Sequence, residues 1–142
     1  MSKRRIVVTG LGIISPVGST VDTAWAAVIA GVSGIGPITR FDISNFPVRF
    51  GGSVKGFTCD DYITQKEQRR MDPFMQYGVA AALQAFRDTG LVVTEQNSPR
   101  IGVMIGAGIG GLGTIEETED AYAVTKSPKK ISPFFIPRII IN

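Results

Sequence analysis

Residues 103–113 read Val-Met-Ile-Gly-Ala-Gly-Ile-Gly-Gly-Leu-Gly and follow Arg100-Ile101-Gly102. An apolar run that passes straight into five glycines predicts a buried strand whose end is kept free of side chains, so that something can approach the backbone. Two GxGxxG matches overlap here, Gly106/Gly108/Gly111 and Gly108/Gly110/Gly113, and a dinucleotide loop is the first reading to test. Two features weigh against it. Thr114-Ile115-Glu116-Glu117 is spelled as a capping box that opens a helix, and Glu119 and Asp120 follow; these four carboxylates would repel a pyrophosphate on the same helix dipole. The fingerprint also needs an acidic residue about twenty positions on, at the end of a second strand, where this chain has Ser127-Pro128-Lys129-Lys130. A nucleotide-binding domain with a dinucleotide at residues 106–113 is kept as the weaker rival, behind two other readings: glycines that let a helix pack closely on a strand, or a neutral ligand passing over bare backbone.

The absence of histidine narrows the chemistry. With no His and one Cys in 142 residues, the chain cannot assemble a Cys-His pair, a Ser-His-Asp triad or a His-bearing metal site. The single thiol excludes an intrachain disulfide and suits a reducing compartment, so the cytoplasm is the expected location. A hydrophobic share of 44% with 19% charged residues predicts one folded domain rather than disorder. The basic start at Lys3-Arg4-Arg5 is followed by too short an apolar run for a signal peptide, and no segment is long enough to span a membrane. A net charge of +3 without aromatics interleaved among the cations gives no footprint for nucleic acid.

Along the chain, residues 5–9 read as a buried strand, turned by Gly10-Leu11-Gly12. Ser19 or Thr20 then caps a helix over 21–30 that stops at Gly31, with Trp25 as a packing residue on it. Residues 34–62, with Pro37, Pro47 and Gly51-Gly52, read as a long excursion holding a strand or two at an edge. Cys59 lies there with no activating base in sequence and is read as an ordinary thiol.

Thr64-Gln65-Lys66-Glu67 is a second capping box opening a short helix. Lys66, Arg69 and Arg70 then share one face, either a solvated surface or a docking patch for an acidic partner. Asp72-Pro73 starts a helix through Asp88 that is apolar nearly all round, predicted buried, with an alanine face that would admit another helix. In residues 129–137 two prolines are expected to hold adjacent Phe rings in an extended segment, as core or as the wall of an apolar slot. Residues 138–142 begin an apolar element with no cap, which reads as a sequence cut inside an element, by truncation or frameshift.

Four stretches taken together resemble the N-terminal portion of the β-ketoacyl-acyl carrier protein synthases, most closely the synthase II branch of type II fatty-acid synthesis. They are RRIVVTGLGIISPVG (4–18), KEQRRMDPFMQY (66–77), RIGVMIGAGIGGLG (100–113) and KISPFFIP (130–137). The resemblance implies a thiolase-like layered α-β-α fold, of which residues 1–142 would be an incomplete first half: a mixed sheet covered by helices. It implies a decarboxylating Claisen condensation between an acyl thioester on a cysteine and malonyl-acyl carrier protein, with no cofactor beyond the carrier's phosphopantetheine. In the family that cysteine and two histidines lie downstream of the matched segments, and Cys59 does not match the nucleophile. This chain alone is therefore expected to be inactive.

By the same resemblance, Ile109 and Leu112 match positions lining the acyl channel, and Phe135 matches one that reaches it from the partner subunit of a homodimer. Lys66, Arg69, Arg70, Lys129 and Lys130 match the surface that docks the acidic acyl carrier protein. Arg138 stands where the family has a small polar residue, and an unpaired Arg in a buried helix is costly. The competing expectation is a non-catalytic module that binds carrier protein or a full-length synthase, like the chain-length-determining subunits, or a decayed gene product.

Overall fold

The computed structural model describes residues 4–140. Two compact units divide the chain: residues Met1–Thr58 with Ala80–Leu91, and residues Cys59–Val79 with Val92–Asn142.

In the first unit, helix α1 (Val21–Ile29) starts where the sequence places it. Thr20 is its N-cap, the Thr23 amide donates to Thr20 Oγ1 at 3.3 Å and the Thr20 amide to Thr23 Oγ1 at 3.1 Å. These bonds satisfy N–H groups that have no partner inside the helix. The excursion contains the expected edge strands, β1 (Ile35–Pro37) and β2 (Phe50–Gly52), paired antiparallel with Gly36 opposite Gly51 and Pro37 opposite Phe50. Trp25 is exposed rather than packed. It forms one wall of an open apolar cleft of about 490 Å³ with Leu11, Ile13, Val17, Val21 and Val28.

Two expected strands are not formed. Residues 5–9 and 103–105 join no ladder, and their side chains are open, with Ile6 96% and Met104 98% exposed. A buried strand needs a neighbour about 4.8 Å away to take its backbone bonds and a layer to cover its faces. None of the described residues supplies either. The sheet they do form is the two-stranded β1-β2 pair, so the mixed sheet is not assembled within them.

Helix α3 (Pro73–Asp88) gives residues 73–79 to the second unit and 80–88 to the first. It begins at Asp72-Pro73 as read, but most of it is half-buried; Ala80 is its buried residue. The alanine face receives residues 10–13 instead of a helix. A Cβ on Gly12 would strike the Ala81 carbonyl, and one on Gly10 the Ala85 carbonyl. The segment is then pinned by α3 side chains: the Leu11 amide donates to Asp88 Oδ2 at 2.9 Å and the Ile13 amide to Gln84 Oε1 at 3.2 Å. Gln84 Nε2 donates in turn to the Ser19 carbonyl at 2.8 Å. An extended segment needs these bonds because a neighbouring helix has no free backbone groups to offer it.

The second unit holds α2 (Gln65–Gln68), the start of α3, α4 (Leu112–Thr125) and α5 (Phe135–Ile139). Helix α4 begins two residues before the expected Thr114 cap. Its N-cap is Gly111 at φ 71°, a conformation open to glycine at little cost, so the helix takes in Thr114 as an interior residue. Residues 135–139 are helical rather than extended, with Phe134 as the N-cap and Pro137 inside the first turn, where its missing N–H is not needed. Helix α5 and the 3-10 turn Pro128–Lys130 both pack on α4. Of the apolar ending read at 138–142, Ile141 and Asn142 lie outside the described residues, as does the Lys3 of the basic start.

Candidate functional site

The glycine stretch divides into two parts. Gly106, Gly108 and Gly113 face open space, where a Cβ would meet nothing within 4 Å. Gly110 and Gly111 are crowded: a Cβ on Gly110 would come 2.5 Å from Phe74 Cε2, and one on Gly111 2.7 Å from Ile139 Cα. The packing reading holds at two positions, against a ring and a residue of α5 rather than on a strand, while the ligand reading remains an expectation. The two crowded glycines serve packing, and the others leave backbone uncovered. Ile109 and Leu112 flank the crowded pair and project outward, 79% and 64% exposed. Phe135, the first residue of α5, is half-buried. The three share one unit, but no wall of described residues encloses Ile109 or Leu112.

Behind this loop lies a polar contact that the sequence did not disclose. Asp72 and Thr114 are 8% and 6% exposed, and Thr114 Oγ1 donates to Asp72 Oδ2 at 2.8 Å. Asp72 was legible only as the cap of α3, whose carbonyl takes the Met75 amide at 3.0 Å. Thr114 was legible only as a cap of α4. No local pattern distinguishes a capping threonine from one a single turn inside the helix.

The basic residues form an exposed group in the same unit. Helix α2 is only four residues long and is held by its surroundings. Gln68 Nε2 donates to Asp60 Oδ1 and to the Ile63 carbonyl, each at 2.9 Å, while Gln76 Nε2 reaches the Gln68 carbonyl at 3.2 Å. Lys66, Arg69 and Arg70 are all exposed on α2 and its end. Glu67 is turned back to the cap, where its Oε2 accepts from the Thr64 amide at 3.0 Å and from Thr64 Oγ1 at 2.6 Å. Those hydrogen bonds, with Arg70 and Lys66 nearby, hold its carboxyl below the ordinary glutamate value. Lys129 and Lys130 lie exposed on the 3-10 turn. The Arg70 guanidinium stacks over the Phe134 ring at 5.0 Å, four residues beyond Lys130, which links the two basic stretches while leaving the charge accessible.

Cys59 is buried, and its Sγ lies 3.8 Å from the Gln76 carbonyl. Burial, with Asp60 adding, pushes its thiol above the ordinary value. That is the reverse of what activates a nucleophile. Arg138 is half-buried, and its Nε is sealed from solvent with no hydrogen-bond partner among the described residues.

Solved structures with this arrangement are ketosynthases of the α/β thiolase-like class. A ketosynthase/chain length factor for ishigamide superposes with a TM-score of 0.81 at 32% identity, over 98% of this chain and 34% of its own. A type II polyketide ketosynthase bound to hexaketide, in complex with its acyl-carrier protein, gives 0.76 at 25% identity, over 97% of this chain and 35% of its own. The chain belongs to the family described as beta-ketoacyl synthase, N-terminal domain, which it matches over residues 3–142. Among its relatives is the 3-oxoacyl-[acyl-carrier-protein] synthase 2 of Vibrio cholerae, 56% identical over all 142 residues. The enzyme of that name from Coxiella burnetii is 49% identical over the same span. The chain covers 34% of the length of each of these relatives.

Proposed function

We propose that this chain is the acyl-channel and carrier-docking portion of a 3-oxoacyl-acyl carrier protein synthase acting in fatty-acid elongation in the cytoplasm. In the whole reaction, an acyl thioester on cysteine is attacked by the carbanion left when malonyl-carrier protein loses CO₂, and the thiolate is displaced. The chain holds no His, and its one Cys is buried and poorly ionised, so the Cys/His/His centre is not among these residues. Its contribution is recognition. Ile109, Leu112 and, across a homodimer, Phe135 shape the acyl channel; Lys66, Arg69, Arg70, Lys129 and Lys130 dock the acidic carrier; no cofactor beyond the carrier's phosphopantetheine is needed.

The observation that carries this reading is the exposed basic group linked by the Arg70–Phe134 stack, in a chain 56% identical to a synthase of that name. The test is binding of the chain to acyl carrier protein as salt is raised. Affinity should fall steeply with salt, and the triple variant Lys66→Glu, Arg69→Glu, Arg70→Glu should bind at least about tenfold more weakly with a flattened salt slope. Equal binding by parent and variant would remove the docking assignment.

A second reading draws on the similarity to the ishigamide ketosynthase/chain length factor: a non-catalytic partner subunit with the same channel and docking surface. The gene product purified from its source separates the two. Condensation activity would favour the synthase, and stable pairing with a synthase without activity the partner subunit.

A further inference from the structure

We infer that the Asp72–Thr114 hydrogen bond is a positioning clamp for the loop that carries Ile109 and Leu112, so that these two residues set acyl-chain preference from a fixed backbone. The inference rests on the channel reading above for its ligand, and on the geometry of one unit for the clamp. Three contacts converge on residues 110–114. The Phe74 ring fills the space beside Gly110, Ile139 lies against Gly111, and Thr114 Oγ1 bonds Asp72 Oδ2 at 2.8 Å. Asp72 and Phe74 stand two residues apart at one helix end, so the start of α3 grips the loop twice, once by a ring and once by a carboxylate.

Of the three contacts, the polar one is directional. Apolar contacts tolerate a slide of the loop, whereas a buried carboxylate that loses its hydroxyl partner is left undersatisfied. The other Asp72 oxygen has only a long bond, 3.4 Å from the Phe74 amide. The carboxylate therefore depends on Thr114. Gly111 at φ 71° then fixes the direction in which Leu112 leaves the loop. Ile109 precedes the first gripped residue and Leu112 lies between Gly111 and Thr114, both exposed but anchored by their neighbours. Such an arrangement suits side chains whose position limits the length of an apolar ligand, because a loose loop would yield to a longer chain instead of rejecting it.

The test compares Thr114→Val, which keeps the shape and removes the hydroxyl, with Thr114→Ser, which keeps the hydroxyl. Hydrogen exchange read by mass spectrometry on peptides of the full chain reports the clamp without any ligand. In the Val variant, peptides covering residues 112–121, where the helical amides of α4 begin with Ile115 bonded to the Gly111 carbonyl, should exchange about tenfold faster, with peptides of α1 unchanged and the Ser variant following the parent. Binding of octanoyl, dodecanoyl and hexadecanoyl pantetheine reports the channel; the Val variant should lose discrimination among the three lengths and the Ser variant should keep it. Unchanged exchange over 112–121, or a rise spread equally over α1, would overturn the clamp. Faster exchange with an unaltered order of affinities would overturn its role in chain preference. Because no wall of described residues encloses Ile109 or Leu112, these binding measurements use the gene product purified from its source; if it binds none of the three thioesters, the channel assignment itself fails, and exchange still decides whether the clamp exists.

Discussion

The two units use the same devices on different partners. Each contains an apolar run leading into glycines, residues 5–12 in one and 101–111 in the other, and each opens a helix with a threonine capping box. In the first unit, Gly10 and Gly12 both press on the backbone of α3, and the cap is uncharged, Thr20 with Thr23. In the second, only Gly110 and Gly111 are pressed, Gly106 and Gly108 stand open, and the cap depends on a carboxylate, Thr64 with Glu67. The lesson is that a glycine-rich strand end marks backbone without side chains and nothing more. Whether that backbone packs on a helix or waits for a ligand depends on residues far away in sequence.

Substitutions break the comparison most sharply where the contrast is steric. Gly12→Ala places a methyl group against the Ala81 carbonyl and Ala85 amide, and should destabilise the first unit by about 3 kcal/mol, read as a lowered denaturant midpoint. Gly108→Ala, the matching change at an open glycine, should alter stability by less than about 0.5 kcal/mol. If the two shifts were equal, the division between packed and open glycines would be wrong.

The smallest effect is electrostatic. Because the Glu67 carboxyl is held below its ordinary value by Thr64, its cap is complete above the pH at which a free glutamate ionises and is lost as pH falls through the lower, folded value. Acid should therefore loosen the start of α2 while leaving that of α1 intact, since Thr20 and Thr23 do not titrate. NMR titration of the Glu67 carboxyl alongside the Thr64 and Thr20 amides checks both halves. Parallel changes at the two caps would contradict the assignment.

Local signals carried much of this structure. The cap at Thr20, one of the two candidates read there, the capping box at Thr64, the Asp72-Pro73 start of α3 and the edge strands around Gly51-Gly52 stand where the residues place them. The basic residues are exposed as one of the two readings had them, although α2 ends at Gln68, so Arg69 stands at its C-cap and Arg70 beyond it. What failed depended on distant partners. Residues 5–9 and 103–105 have the composition of buried strands but no ladder among the described residues, so exposure replaces burial. The alanine face of α3 was rightly read as admitting a close neighbour, but a glycine-bearing segment took the place expected for a helix. The Asp72–Thr114 contact spans 42 positions, and each residue had a sufficient local explanation that concealed it.

The pinning of residues 10–13 by Gln84 and Asp88 also bears on the order of events during synthesis. The Leu11 amide waits for an acceptor 77 residues downstream, which at roughly 5–20 residues per second is a delay of roughly 4 to 15 s. Through that interval the earliest part of the polypeptide carries Ile6, Val7 and Val8 uncovered, with α1 as its nearest local structure. The first unit is thus completed late although it is begun first, and closing so long a loop makes its assembly intrinsically slow.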